Sequence, residues 1–340
     1  MDIPRLLLLQ FVLLVLYICG TAFYNIFLHP LRSFPGPSLA KLSKAWSRYG
    51  NLKGRKSHRI HAAHIKYGNI VRVAPNELSF AEPAAVRDIY MNDAFVKETT
   101  FYRAKRVYHE EMLMSFRDPE AHKQRKKLLQ RGFSQASMLA FEPQIDVKIS
   151  ALLDQWAKRA DTGGGPVDVY PWLLWLAFDI VYHLMFDEDP GSVKQGEAHW
   201  VMAYMRAWRP TFIYKEFVPQ LERWGVWVPG SVGATFRKVD AWKKFAEGLI
   251  KSCRARETKT PFLNTALTGT DGFLGRPLTD SELAEESMGG MFGGSGTTAN
   301  TFVYLLWATL RQPELVKRLR KELEDTFPEG RGQVPDSAVS

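Results

Sequence analysis

Residues Met288–Trp307 read MGGMFGGSGTTANTFVYLLW, and the treatment of this stretch decides the fold. Gly289, Gly290, Gly293, Gly294 and Gly296 crowd a segment that otherwise reads as one long helix. Each glycine in a helix interior costs about 1 kcal/mol relative to alanine. The helix opens at Thr279, where TDSE forms a capping box with Thr279 as N-cap and Glu282 at the third position. It runs to about Arg311, before Pro313 starts another helix. Roughly 32 residues at 1.5 Å rise give about 48 Å, enough to cross a whole domain, so this helix is central. The glycines strip side chains from one part of it, which lets something large and flat lie against the backbone. Thr297 and Thr298 follow at once, and a threonine hydroxyl can bond back to the carbonyl four residues earlier.

Other readings of the stretch fare worse. A phosphate-binding loop needs a lysine after its last glycine, and none is present. Gly294-x-Gly296-x-x-Ala299 matches a relaxed dinucleotide pattern, the basis of a nicotinamide-dependent reading. That pattern needs a preceding strand, whereas SELAEESMGGMF is a capped helix start. A glycine seam for tight helix–helix packing stays open as the structural alternative.

The surrounding chain has 340 residues, 46% hydrophobic and 13% aromatic, which is the composition of a folded protein with a sizeable core. Two cysteines, Cys19 and Cys253, cannot build a disulfide framework and fit a reducing compartment. The net charge of +9 is carried by the N-terminal block, where eleven bases from Arg5 to Arg72 face Asp2 as the one acid before Glu77. Nucleic-acid binding would spread the charge through a domain with stacking aromatics, so no nucleic-acid partner is expected.

Leu6–Leu28 is an uncharged apolar run long enough to span a bilayer core of about 30 Å. It is too long for the apolar part of a cleaved signal peptide. Pro30, Pro35 and Pro37 end the helix, and the bases beyond it put its C-terminal side in the cytosol. The expected organisation is a transmembrane anchor over 1–28, a basic proline-rich hinge over 29–57 and a globular body over 58–340.

In that body, Ile70, Val71 and Val73 form one short strand, and Leu78 and Phe80 another, with Pro75-Asn76 as the turn. His58, His61 and His64 drift around a helix and read as a solvated face rather than metal ligands. PEAHKQRKKLLQRGFS, from Pro119, reads as a basic helix with Leu128 and Leu129 inward. PWLLWLAFDIVYHLMFDED is apolar all round and too short for a second span, so it is a buried helix. The tryptophan-rich segment from Trp200 to Trp227 reads either as core or as amphipathic helices beside a channel or at a membrane interface. DTGGGP at Asp161 and TALTGTDGFLGRP at Thr265 read as surface loops.

FGGSGTT, Phe292–Thr298, resembles the Ala/Gly-Gly-x-Asp/Glu-Thr-Thr/Ser motif in the central helix of the cytochromes P-450, haem-thiolate monooxygenases. Other pieces stand in order around it: the anchor, FPGP at Phe34–Pro37, and YGNIVRVAPNELSF in a form common in fungal members. HKQRKKLLQRGFS is similar to the helix that contacts the haem propionates, and TLRQPELVKRLRKELEDTFP to the helix after the central one. The resemblance covers nearly the whole chain. It implies a mainly α fold with a small β-sheet, the cytochrome P-450 fold, preceded by one N-terminal transmembrane helix.

The resemblance also implies site residues. Gly293 and Gly294 would lie over the haem face, and Thr297 would be the catalytic hydroxyl that bonds dioxygen and helps deliver protons. His122 and Lys126 stand where the family has a tryptophan and an arginine, and would pair with propionate. The loop from Phe95 to Phe116 would shape substrate access. The implied cofactor is haem. The implied partners are the endoplasmic reticulum membrane, an NADPH-dependent reductase and an apolar small molecule, with the body facing the cytosol and a role in fungal secondary metabolism. Two departures stand out. Gly296 occupies the motif's acidic position, which implies a weakened proton relay. Ser340 precedes the family's Glu-x-x-Arg helix and its cysteine loop, so the expectation is a truncated chain without its axial ligand and inactive alone. The alternative is a non-catalytic, membrane-tethered remnant without haem.

Overall fold

The computed structural model describes residues 3–92, 94–163 and 165–327. The chain divides into two compact units, Met1–Glu98 with Ile213–Pro219, and Thr99–Phe212 with Gln220–Ser340. Helices dominate, and one two-stranded sheet lies in the first unit.

The first unit begins with α1 (Ile3–Phe23), which continues as a wider π-helical turn, Tyr24–Leu28. Ile3–Leu28 has a mean hydropathy of 2.4 and none of it is buried, so its length and composition suit a bilayer span. After it, α2 (Lys56–Tyr67) leads through Gly68, at φ 98°, into β1 (Ile70–Ala74) and β2 (Glu77–Phe80). The strands pair antiparallel, Ile70 opposite Phe80 and Val71 opposite Ser79, with the register shifting between Arg72 and Ala74. This is the hairpin expected from the alternation and the Pro75-Asn76 turn.

Arg72 is fully buried on β1. Its amide donates to the Pro35 carbonyl at 2.8 Å. Its guanidinium donates to the carbonyls of Pro75 and of Asn25 in the π-helical turn. His29 and Asn76 pair at 2.6 Å across the same join. Gly36 is required there, because a Cβ on it would sit 2.2 Å from the Arg72 carbonyl oxygen. His58 and His61 are exposed, while His64 bonds the Gly68 carbonyl and the Ser79 hydroxyl.

The second unit carries α3 (Pro119–Leu129), α4 (Gln135–Asp161), α5 (Val169–Phe186) and α6 (Val201–Phe217, whose last residues count with the first unit). α7 (Gly230–Ala255), α8 (Asp280–Leu310) and α9 (Pro313–Thr326) complete it. α8 begins with both arms of its capping box: the Thr279 hydroxyl accepts from the Glu282 amide, and the Glu282 carboxylate accepts from the Thr279 amide. α5 is the buried helix its composition predicts, with Phe178, Tyr182, Met185 and Phe186 in the core. It lies along α8, and α7 covers α8 from another side through Val239, Trp242, Ala246 and Ile250. Val239 and Ile250 each contribute about 1.5–3 kcal/mol when fully buried.

Two details depart from expectation. The first part of the segment taken as a loop at Thr265 is helical, within Pro261–Thr268, and Asp271 beyond it is buried. The tryptophans between Trp200 and Trp227 divide: Trp208 is core, whereas Trp200, Trp224 and Trp227 are exposed.

Candidate functional site

The five glycines of α8 serve two purposes. A Cβ at Gly289 would meet the Met112 sulfur at 2.5 Å, one at Gly290 the Met185 Cε at 2.8 Å, and one at Gly294 the Val181 Cγ2 at 2.9 Å. These three let the 106–116 segment and α5 approach the α8 backbone closely. Gly293 and Gly296 differ, since a Cβ at either would meet nothing within 4 Å. The bare strip is therefore Gly293 and Gly296, while Gly294 belongs to the seam with α5.

Thr297 is exposed one turn beyond Gly293, and its hydroxyl donates to the Gly293 carbonyl. Ser295 is buried, donating to the Met291 carbonyl at 2.7 Å, and lines the same space as Gly296 and Thr297. Beside Gly296 and Thr297 opens a cavity of about 480 Å³. Its floor is apolar, with Leu174 and Phe178 from α5, Met202 and Met205 from α6, and Phe292 from α8. Phe292 is held edge-on by Trp208 at 4.1 Å, and the Trp208 indole donates to the Arg106 carbonyl. Arg206 and Arg209 of α6 and Asn300 of α8 supply the polar part of the wall.

The other expected site residues lie elsewhere. His122 is half-buried and Lys126 exposed, one turn apart on α3, and neither lines the cavity. Cys253 is buried on α7, its thiol donating to the Phe186 carbonyl at 3.1 Å, and Cys19 sits in α1. Burial pushes the Cys253 thiol above its ordinary pKa, so it stays protonated. Neither cysteine faces the bare strip among the described residues.

The cytochrome P450 family profile matches residues 40–339. The chain belongs to the cytochrome P450 family. It is similar to the Cytochrome P450 monooxygenase ORF11 of Penicillium roqueforti, 29% identical across 92% of this chain and 66% of that protein. It is also similar to the benzoate 4-monooxygenase bphA of Aspergillus niger, 28% identical across 88% of this chain and 62% of that protein. A crystal structure of a cytochrome P450, CYP102L1, superposes with a TM-score of 0.64 over 80% of this chain and 62% of that one, at 16% identity, and so shares the fold. The chain spans about two thirds or less of the length of these proteins.

Within this cytochrome P450 a buried ionic cluster, which sequence reasoning missed, supports the start of α8. Arg125 of α3 is 1% exposed. Its Nε donates to Asp271 and its Nη1 to Glu286, both at 2.6 Å, with Phe116 under the guanidinium. Glu286 also accepts from the Leu113 amide, and Glu285 from the Tyr108 amide and, at 3.4 Å, from Lys243. Burial pushes the Glu286 carboxyl up to about 7, against the pull of Arg125. The cluster fixes residues 106–116 to α8. A signal for it existed: Arg125 stands three and four residues before Leu128 and Leu129 and four after Ala121, on the inward face of its helix.

Proposed function

We propose that this chain carries the oxygen-handling helix and the substrate cavity of a haem-dependent monooxygenase acting on an apolar small molecule. The observation that carries this reading is the uncovered strip at Gly293 and Gly296, beside a threonine hydroxyl and an apolar cavity, on the helix with the family's motif. Haem, when bound, supplies the activation of dioxygen. The strip suits such a group because its backbone is bare where a side chain would otherwise stand.

Each residue then has a task. Gly293 and Gly296 leave room for a planar face, and Thr297 holds a proton at its Oγ1 beside the cavity. The apolar floor excludes water and favours an apolar substrate. On α3, Lys126 and His122 would pair with propionate, as the family resemblance implies, Lys126 as a point charge without the fork of an arginine. α1 anchors the protein in the endoplasmic reticulum membrane with the body in the cytosol, the basic block lying near anionic headgroups. An NADPH-dependent reductase supplies electrons. A place in fungal secondary metabolism is what the family resemblance implies.

The axial thiolate is not assigned to Cys19 or Cys253. As a 340-residue polypeptide, the reduced, carbon-monoxide-treated protein is expected to show no thiolate-type Soret band. A chimera that continues past residue 340 with the cysteine-bearing third of a relative is expected to show one. It should also consume NADPH through a reductase. A folded chimera with no such band would overturn the reading, and a clear band from the 340 residues alone would overturn the assignment of the cysteines.

A further inference from the structure

The cavity wall carries a charge imbalance. Arg206 and Arg209 stand three residues apart on α6, on one face of the helix, and both line the cavity. No aspartate or glutamate lines it with them. Neither guanidinium has a hydrogen bond or ion pair to the protein among the described residues. Some arginines elsewhere in this unit are matched to carboxylates: Arg103 and Arg106 meet Glu222, Arg254 meets Asp280, and Arg276 meets Glu282. Gly296 faces the same space with no side chain to compensate them.

From this geometry we propose that the cavity binds an apolar molecule bearing a carboxylate, the acid held by Arg206 and Arg209 and the hydrocarbon part lying over Phe178, Met205 and Phe292. This rests on the reading of the cavity as the substrate site and names the class of molecule it takes. A guanidinium offers paired donors that match a carboxylate in its own plane. Asn300 adds an amide that can donate to the same acid, and the Thr297 hydroxyl lines the same cavity. Both arginines are exposed to solvent, so screening limits the gain to a modest factor. The acid thereby sets the molecule's orientation more than its total affinity.

The test uses the 340-residue protein in detergent micelles, titrated with 2-naphthoate and with the neutral 2-naphthalenemethanol while the protein's tryptophan fluorescence is followed. 2-Naphthoate is expected to bind about three- to fivefold more tightly, with the preference shrinking as salt is added. Arg206→Gln with Arg209→Gln should abolish the preference, 2-naphthoate then binding no more tightly than the alcohol. Arg206→Lys with Arg209→Lys should keep part of it, and far-ultraviolet circular dichroism should show both variants folded. Equal affinity for the two compounds, no binding of either, or a preference that survives both glutamines would overturn the proposal. Equal affinity would leave the monooxygenase reading standing. A chimera without a thiolate band would sink that reading whatever the naphthoate result.

Discussion

At the scale of single residues, the glycines of α8 are not interchangeable. Gly293→Ala places a methyl in open space and removes a helix-interior glycine, so it should stabilise the protein by up to about 1 kcal/mol in urea denaturation. Gly294→Ala pushes a methyl to 2.9 Å from Val181 and should cost about 1–3 kcal/mol in the same measurement. Arg125→Ala leaves Asp271 and Glu286 buried without their cation, and should cost about 3–5 kcal/mol. Glu286 adds a pH dependence. Its folded value, about 7, lies above its ordinary 4.5, so its contribution is full below about 4.5 and is lost as pH rises through about 7. The urea midpoint should therefore fall between pH 5 and pH 8, and Glu286→Gln should flatten that fall. The motif's glycines and Thr297 were legible because helix rules make repeated glycine conspicuous. The division into seam and bare strip was not, since which neighbour fills each gap depends on side chains distant in sequence.

At the scale of elements, the ends of α8 were readable from local chemistry alone. Thr279 and Glu282 form the box that TDSE predicts. Although burial alone would raise the Glu282 carboxyl, hydrogen bonds from Arg276 and Thr279 pull it down to about 2. That contribution is present above about 4.5 and fades as pH falls through about 2. Thr279→Ala should cost about 1 kcal/mol of stability, read by thermal or urea unfolding at neutral pH. α3 shows where such reading ends. Its sequence reads as a basic helix with Leu128 and Leu129 inward, yet Arg125 is among the most buried side chains of the unit. The acids that make this tolerable lie far along the chain, at Asp271 and Glu286. The segment after Thr265 departs from its sequence reading only in part: residues 272–277 are exposed as a surface loop would be, while its start is helical and Asp271 is buried against Arg125.

At the scale of the whole molecule, the family and the mainly helical fold with its small hairpin followed from ordered motifs along the chain. The cavity could not be read that way. It needs α5, α6 and α8 to converge, and residues from 170 to 300 meet there. The apolar segment Ile3–Leu28 yields a direct prediction: the protein should float with phospholipid vesicles in a density gradient, and a variant lacking residues 1–28 should stay at the bottom. Flotation of the shortened protein would mean that another surface carries the attachment.

The join at Arg72 has a consequence for how the first unit stands at a bilayer. A loose leash would let the hairpin tumble beneath its attachment. Here the strand's own arginine grips the last turn of the apolar helix, His29 pairs with Asn76, and Gly36 leaves the backbone no slack. The attachment is thus a post fixed to its footing, and a turn of α1 about its axis carries the hairpin round with it.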